Sequence, residues 1–100
     1  MDLLTRAVAV NPNHAGARNN LGTALRNLAG YELALENFEH AVRLKPDYAE
    51  AHNNRGAALV DLKRYAEALE SYHRAIELKP DYADAYNNRG KLEENFNCHA

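Results

Sequence analysis

The sequence predicts an all-α protein, an α-solenoid of antiparallel helix pairs, and two observations carry that expectation. Landmark residues recur every 34 positions along the chain. Between them lie two stretches with apolar residues at helical spacing, divided by a short turn and closed by a proline.

The landmarks keep their register throughout. Pro12, Pro46 and Pro80 are 34 residues apart, as are Gly22, Gly56 and Gly90, and Ala7, Ala41 and Ala75. Val10, Leu44 and Leu78 share one position. The segment Pro46 to Gly56 returns as Pro80 to Gly90 with two differences, Glu50/Asp84 and His52/Tyr86. A supersecondary unit of this length cannot bury its apolar face alone and does so by stacking on its neighbours.

Each element has a local cause. Asp47 and Asp81 follow prolines and are expected to cap the first helix of a pair. Glu50 and Asp84 stand three residues later, where an acidic group favours a helix start, and Asp47 with Glu50 approaches a capping box. Short turns are expected near Ala29-Gly30 and Lys63-Arg64. The second helices are expected over roughly 32–44 and 66–78, where Leu69, Tyr72, Ala75, Ile76 and Leu78 mostly fall on one face. Lys45-Pro46 and Lys79-Pro80 end them, because proline removes a donor and restricts the residue before it. Gly22 and Gly56, with Ala34 and Ala68, are expected to let paired helices approach closely. Phe38, Tyr72, Ala41 and Ala75 are expected to fill the space between successive hairpins. A glycine inside a helix costs about 1 kcal/mol against alanine, so three in register imply a packing gain that offsets it.

Composition narrows the function. With 46% hydrophobic and 26% charged residues, the 100-residue chain suits one small folded domain. A net charge of −2 lacks the basic footprint of a nucleic-acid binder or of a protein docking on an acidic membrane surface. The single cysteine, Cys98, excludes an intrachain disulfide, and Met1 to Val10 lack the apolar run of a signal peptide or membrane span. The expected location is the cytoplasm.

The pattern resembles the tetratricopeptide repeat (TPR) family, over about residues 1–96. The residues that carry the resemblance are Leu21-Gly22, Ala34, Phe38, Ala41 and Pro46 in one unit, then Gly56, Ala68, Tyr72, Ala75 and Pro80 in the next. It is similar to bacterial arrays and to those attached to O-linked N-acetylglucosamine transferases. Arg18 and His52 replace a frequent tryptophan or tyrosine, which Tyr86 restores. Arg55 and Arg89 replace the usual leucine before glycine, and Leu25 and Leu59 a frequent tyrosine. The resemblance implies a right-handed superhelix whose first helices line a concave groove.

The units are expected at 15–48 and 49–82, flanked by the second helix of a partial unit at 1–14 and the first helix of another at 83–96, with a tail at 97–100. Leu4 aligns with Phe38 and Ala7 with Ala41. The chain therefore reads as a piece of a longer array or a deliberately permuted chain. Met1, Leu4 and Val8 at one end, and Tyr86 and Phe96 at the other, are candidate self-assembly residues. Head-to-tail contact between them would build a filament or a ring, and helix exchange a closed dimer.

On the predicted groove, Asn19-Asn20, Asn53-Asn54 and Asn87-Asn88 recur in register. An amide offers both donor and acceptor, so a column of amides can bind the main chain of an extended peptide without reading its side chains. The resemblance points to Asn20, Asn54 and Asn88, where related arrays carry an asparagine ladder. The alternative is that these amides only bond the neighbouring helix. Further groove candidates are Thr23, Asn27, Ala57, Val60, Asp61, Lys91 and Glu94. Some family members grip a terminal carboxylate with a lysine and arginine clamp. Asparagines stand at the matching places here and Lys91 is a lone lysine, so chaperone-tail recognition of that kind is not expected. Arg55 and Arg89 are expected to bond within the fold, to carbonyls or to acids such as Glu77 or Asp84.

Catalysis is not expected. His14, His40, His52, His73 and His99 form no metal-binding pair, Cys98-His99 lies at the chain end, and no glycine-rich phosphate loop or serine-nucleophile setting occurs. No metal or cofactor is expected. The leading expectation is a scaffold that binds an extended peptide or protein segment. The alternatives are a self-assembly module completed between chains and a substrate-delivery part of a larger enzyme such as a glycosyltransferase.

Overall fold

The computed structural model describes residues 14–98, with side chains through Glu94. Met1, Leu4 and Val8, and the side chain of Phe96, lie outside the described residues. Those residues form five α-helices and no strand: α1 (Ala15–Asn27), α2 (Tyr31–Leu44), α3 (Ala49–Asp61), α4 (Tyr65–Leu78) and α5 (Ala83–Cys98). The second helices start one residue earlier than the sequence suggests, at Tyr31 and Tyr65.

The capping differs from expectation. Tyr48, not Asp47, is the residue before α3, and no side chain caps that end. Asp47 lies one residue too early to reach the first free N–H groups, so it forms no capping box with Glu50. Asp81 likewise stands two residues before α5. The side-chain cap belongs to α1, where the Ala17 N–H donates to His14 Nδ1 at 2.9 Å.

The turns fall where expected and share one geometry. Gly30 N–H donates to the Leu25 carbonyl and Ala29 N–H to Arg26; Arg64 N–H donates to Leu59 and Lys63 N–H to Val60. Both are Schellman closures, which require a left-handed residue just past the helix. That residue is Ala29 (φ 64°) in one turn and Lys63 (φ 63°) in the other, neither of them glycine.

Helices pack in chain order, α1 on α2, α2 on α3, and so on to α5. In addition α1 approaches α3 and α3 approaches α5, whereas no Cα of α2 comes within 8 Å of one in α4. Elements that meet lie on the inside of a bend and elements that splay apart on its outside. The first helices therefore form the inner, concave surface.

The core follows the small residues. A Cβ on Gly22 would sit 2.6 Å from the Phe38 ring, and one on Gly56 2.6 Å from the Tyr72 ring. The rings thus lie on the glycine of their own hairpin, and Tyr72 also lines a cavity with Lys91 and Leu92 of the next one. An aromatic edge fills the notch that a missing side chain opens. Ala34, Ala41, Ala68 and Ala75 are fully buried around these rings. Arg55 leaves α3 on the outer side. It donates to Ser71 Oγ on α4 at 2.5 Å and to Glu39 on α2 at 3.1 Å, bridging two helices whose backbones stay apart. Glu77 is not its partner, because it pairs with Arg74. Arg89 turns to its own helix, with Glu93 at 3.7 Å and the Tyr86 ring centroid at 5.2 Å.

Candidate functional site: the concave face

Side chains on the inner helices divide into a buried amide seam and a cavity beside it. Asn19 and Asn53 are buried and fully engaged. Asn19 Nδ2 donates to the Tyr48 hydroxyl at 3.3 Å, while its Oδ1 accepts from Asn54 Nδ2 at 3.0 Å. One unit later Asn53 bonds the Tyr82 hydroxyl and accepts from Asn88 Nδ2 at 3.1 Å. Burial pushes the Tyr82 phenol above its ordinary pKa, with Glu50 and Asp84 adding to the rise. Lys45 and Lys79 lie over the Tyr48 and Tyr82 rings, 5.1 and 4.7 Å from their centroids.

The paired asparagines thus differ in role. The first of each pair closes the seam between successive inner helices. The second, Asn54 or Asn88, is half-buried and lends one N–H to the seam. Its Oδ1 takes no bond among the described residues and remains available on the concave side. Asn20, in register with them, is exposed and engages no other described residue. Asn87 is exposed as well. Bonds to the neighbouring helix therefore exist, and on Asn54 and Asn88 an acceptor remains beyond them.

Of the other candidates, Thr23 is exposed but its hydroxyl already donates to the Asn19 carbonyl at 3.1 Å. Asp61 accepts from Arg26 in a forked contact, Nε to Oδ2 at 2.5 Å and Nη2 to Oδ1 at 3.4 Å, which ties α1 to α3 across the groove. Asn27 lies beside that pair, with Tyr31, around a depression of about 290 Å³. Lys91 is exposed and lines a second cavity, of about 250 Å³, between α3 and α5. Ala57, Val60 and Leu92 give this cavity an apolar wall, and Arg26, Asn88 and Tyr72 complete it.

Tyr72 and Arg26 were not among the sequence-derived site residues. Tyr72 belongs to an outer helix, yet its ring crosses Gly56 and so reaches the inner side, where only 3% of it is exposed. Its hydroxyl has no hydrogen-bond partner among the described residues. Burial pushes the phenol up to about 12, with Arg26 opposing and Asp61 adding to the rise. The hydroxyl is therefore a neutral donor at physiological pH. Phe38, its counterpart one unit earlier, ends in a C–H. That substitution was the readable signal, a polar atom placed in an otherwise apolar slot.

The remaining feature is the outward face of α5. A Cβ on Gly90 would meet nothing within 4 Å, in contrast to Gly22 and Gly56, and Tyr86 is 41% exposed. Helix α5 also continues through Cys98, past the point where α1 and α3 have turned. Among the described residues no group of three or more potential metal ligands occurs. None of the described helices is long and apolar enough to cross a membrane.

A family model described as tetratricopeptide repeat matches residues 3–36, and one described as TPR repeat matches residues 30–63 and 58–94. The chain belongs to the tetratricopeptide repeat family. Solved structures superpose on most of it, TPR domains among them. The first TPR of Spaghetti (RPAP3) bound to HSP90 peptide SRMEEVD is 28% identical, with TM-score 0.92, and the match covers 95% of this chain and 75% of that one. The first TPR domain of human RPAP3 is 29% identical, with TM-score 0.90, over 93% of this chain and 73% of that one. MamA is 26% identical, with TM-score 0.89, over 94% of this chain and 55% of MamA. No curated protein sequence matches. The all-α TPR solenoid expected from the repeat is thus the fold this chain adopts.

Proposed function

We propose that this TPR array is a protein–protein interaction scaffold that holds an extended peptide along its concave face, through Asn20, Asn54 and Asn88. The observation that carries the reading is the column of amides. Asn54 and Asn88 are each held by a bond to the preceding inner helix, and each retains an acceptor toward the groove. A group oriented by its neighbour loses less rotamer freedom on binding, so its hydrogen bond to a peptide N–H contributes more net affinity. The 28% identical Spaghetti domain, which holds a short peptide, supports this kind of ligand. Recognition here works through main-chain amides, with asparagines where a terminal-carboxylate clamp would need cations.

The test is binding of a random peptide library to the wild-type protein and to Asn20→Ala and Asn88→Ala. Asn20→Ala is the cleaner variant, because no described contact within the fold depends on that side chain. Weaker capture by both variants, with unchanged circular dichroism, is the expected result. Undiminished capture by the double variant removes the amide column from the site.

A second reading rests on the open face of α5. Residues 1–10 share the register of the second helices, with Leu4 at the Phe38 position and Ala7 at the Ala41 position. Supplied by a second copy, that segment would bring Leu4 against Gly90 and complete a hairpin between chains. Light scattering over a concentration series decides this. Oligomers that Leu4→Glu or Phe96→Glu abolish support it, and a constant monomer mass rejects it.

A further inference from the structure

The cavity between α3 and α5 is more than a widening of the groove, because its walls and its polar atoms select a chemistry. Ala57, Val60 and Leu92 form an apolar collar. Three further residues with polar ends line it: Lys91, Arg26 and Tyr72. Arg26 is already engaged by Asp61, so the pair adds little net field, whereas Lys91 has no carboxylate bonded to it among the described residues. The site therefore carries one uncompensated positive charge.

Tyr72 is the decisive member. Its ring is enclosed, with 3% of the residue exposed, and its hydroxyl has no hydrogen-bond partner among the described residues. An acceptor that enters the cavity replaces water on that donor, and a charged acceptor gains more from the exchange than a neutral one. The residue combination is also not repeated along the sequence. In the 34-residue register, Lys91 stands where Thr23 and Ala57 stand in earlier units, and Tyr72 replaces Phe38. The repeat does not demand these residues, and they meet at one place.

Resting on the peptide-groove reading, we infer that this cavity is a specificity subsite for an acidic side chain, preferably glutamate, of the bound peptide. Its methylenes pass the collar of Ala57, Val60 and Leu92. Its carboxylate pairs with Lys91 and accepts from the Tyr72 hydroxyl. Asn88, which lines the same cavity, receives the peptide main chain next to that residue. The amide column sets no sequence preference, and this subsite adds one.

The test uses nine-residue peptides, acetylated and amidated so that terminal charges play no part. The central residue is fixed as Glu, Gln or Leu, and the flanks are randomised. Binding is read by fluorescence polarisation on the wild type, Lys91→Gln and Tyr72→Phe. The wild type prefers the Glu set over the Gln set by about 5- to 10-fold, the scale of one charge-assisted hydrogen bond. Lys91→Gln abolishes the preference. Tyr72→Phe lowers it by a few-fold with its circular dichroism and thermal midpoint unchanged, since Phe38 already fills the same slot one unit earlier.

Equal binding of the Glu and Gln sets overturns the subsite, as does a preference that survives both substitutions. If the sets still bind and Asn20→Ala weakens them all alike, the groove reading stands while the subsite falls. If no set binds, the groove reading fails and the subsite with it.

Discussion

Replacing the in-register glycines by alanine tests the packing of the array, and it should give opposite results at two positions that look equivalent in sequence. Gly56 and Gly90 occupy the same place in their units, midway along an inner helix. In a helix interior, glycine to alanine stabilises by about 1 kcal/mol through reduced backbone entropy in the unfolded chain. At Gly90 nothing opposes that gain, because the added methyl meets no atom within 4 Å. At Gly56 it would lie 2.6, 2.8 and 3.0 Å from three atoms of the Tyr72 ring, itself enclosed by core. Ring atoms fixed on every side do not swing away like the tip of a flexible chain, so either Tyr72 or the spacing of α3 and α4 must give. Overpacking of this kind costs about 1–3 kcal/mol. Set against the propensity gain, Gly56→Ala is expected to lose about 0–2 kcal/mol and Gly90→Ala to gain up to about 1 kcal/mol. Urea unfolding followed by circular dichroism at low protein concentration measures both. A stabilised Gly56→Ala would mean that the ring does not rest on the glycine. A Gly90→Ala variant destabilised as much as Gly56→Ala would mean that something covers that face of α5.

Three further outcomes follow from particular contacts. Ala29→Gly and Lys63→Gly should each stabilise by about 0.5–1 kcal/mol in the same assay, because both positions hold a left-handed conformation that costs a side-chain-bearing residue more than glycine. Asn54→Ala should lose about 1 kcal/mol by leaving the buried Asn19 Oδ1 without its donor, whereas Asn20→Ala should stay within about 0.5 kcal/mol of wild type, which a comparison of urea midpoints will show. His52 supplies a pH dependence. Burial lowers its pKa below 6.5, its bond to the Pro46 carbonyl at 2.9 Å opposes that shift, and Arg74 and Arg55 reinforce it. The folded state thus favours the neutral ring. That contribution is complete above about pH 6.5 and is lost as pH falls through the lower folded value. His52→Tyr, the residue that Tyr86 supplies one unit later, should lose less stability than wild type between pH 7.5 and 5.5.

What could be read from the sequence and what could not divide along the repeat itself. Residues that return every 34 positions state what every unit must do, and they gave the helix pairs, the turns, the inner placement of the asparagines and the buried alanines. The misreadings arose where a contact crosses the period. Arg55 was expected to bond carbonyls or acids such as Glu77 or Asp84, but its partners lie on two different outer helices. The 34-residue register does not show that Asn19 and Asn53 bond the asparagine 35 positions on, which leaves the first of each pair buried and the second half-buried with one acceptor unused. Periodicity fixes spacing along the chain, while the rotation between stacked units decides which side chains meet, and rotation leaves no mark in a linear pattern. The same division separates scaffold from specificity. A residue kept in every unit supports stacking or main-chain contact along the whole groove. Arg26, Tyr72 and Lys91, which change from unit to unit, are not needed for stacking, and they converge on one cavity of about 250 Å³. In an array whose units are otherwise interchangeable, a ligand's register along the groove can be set only by positions that break the repeat.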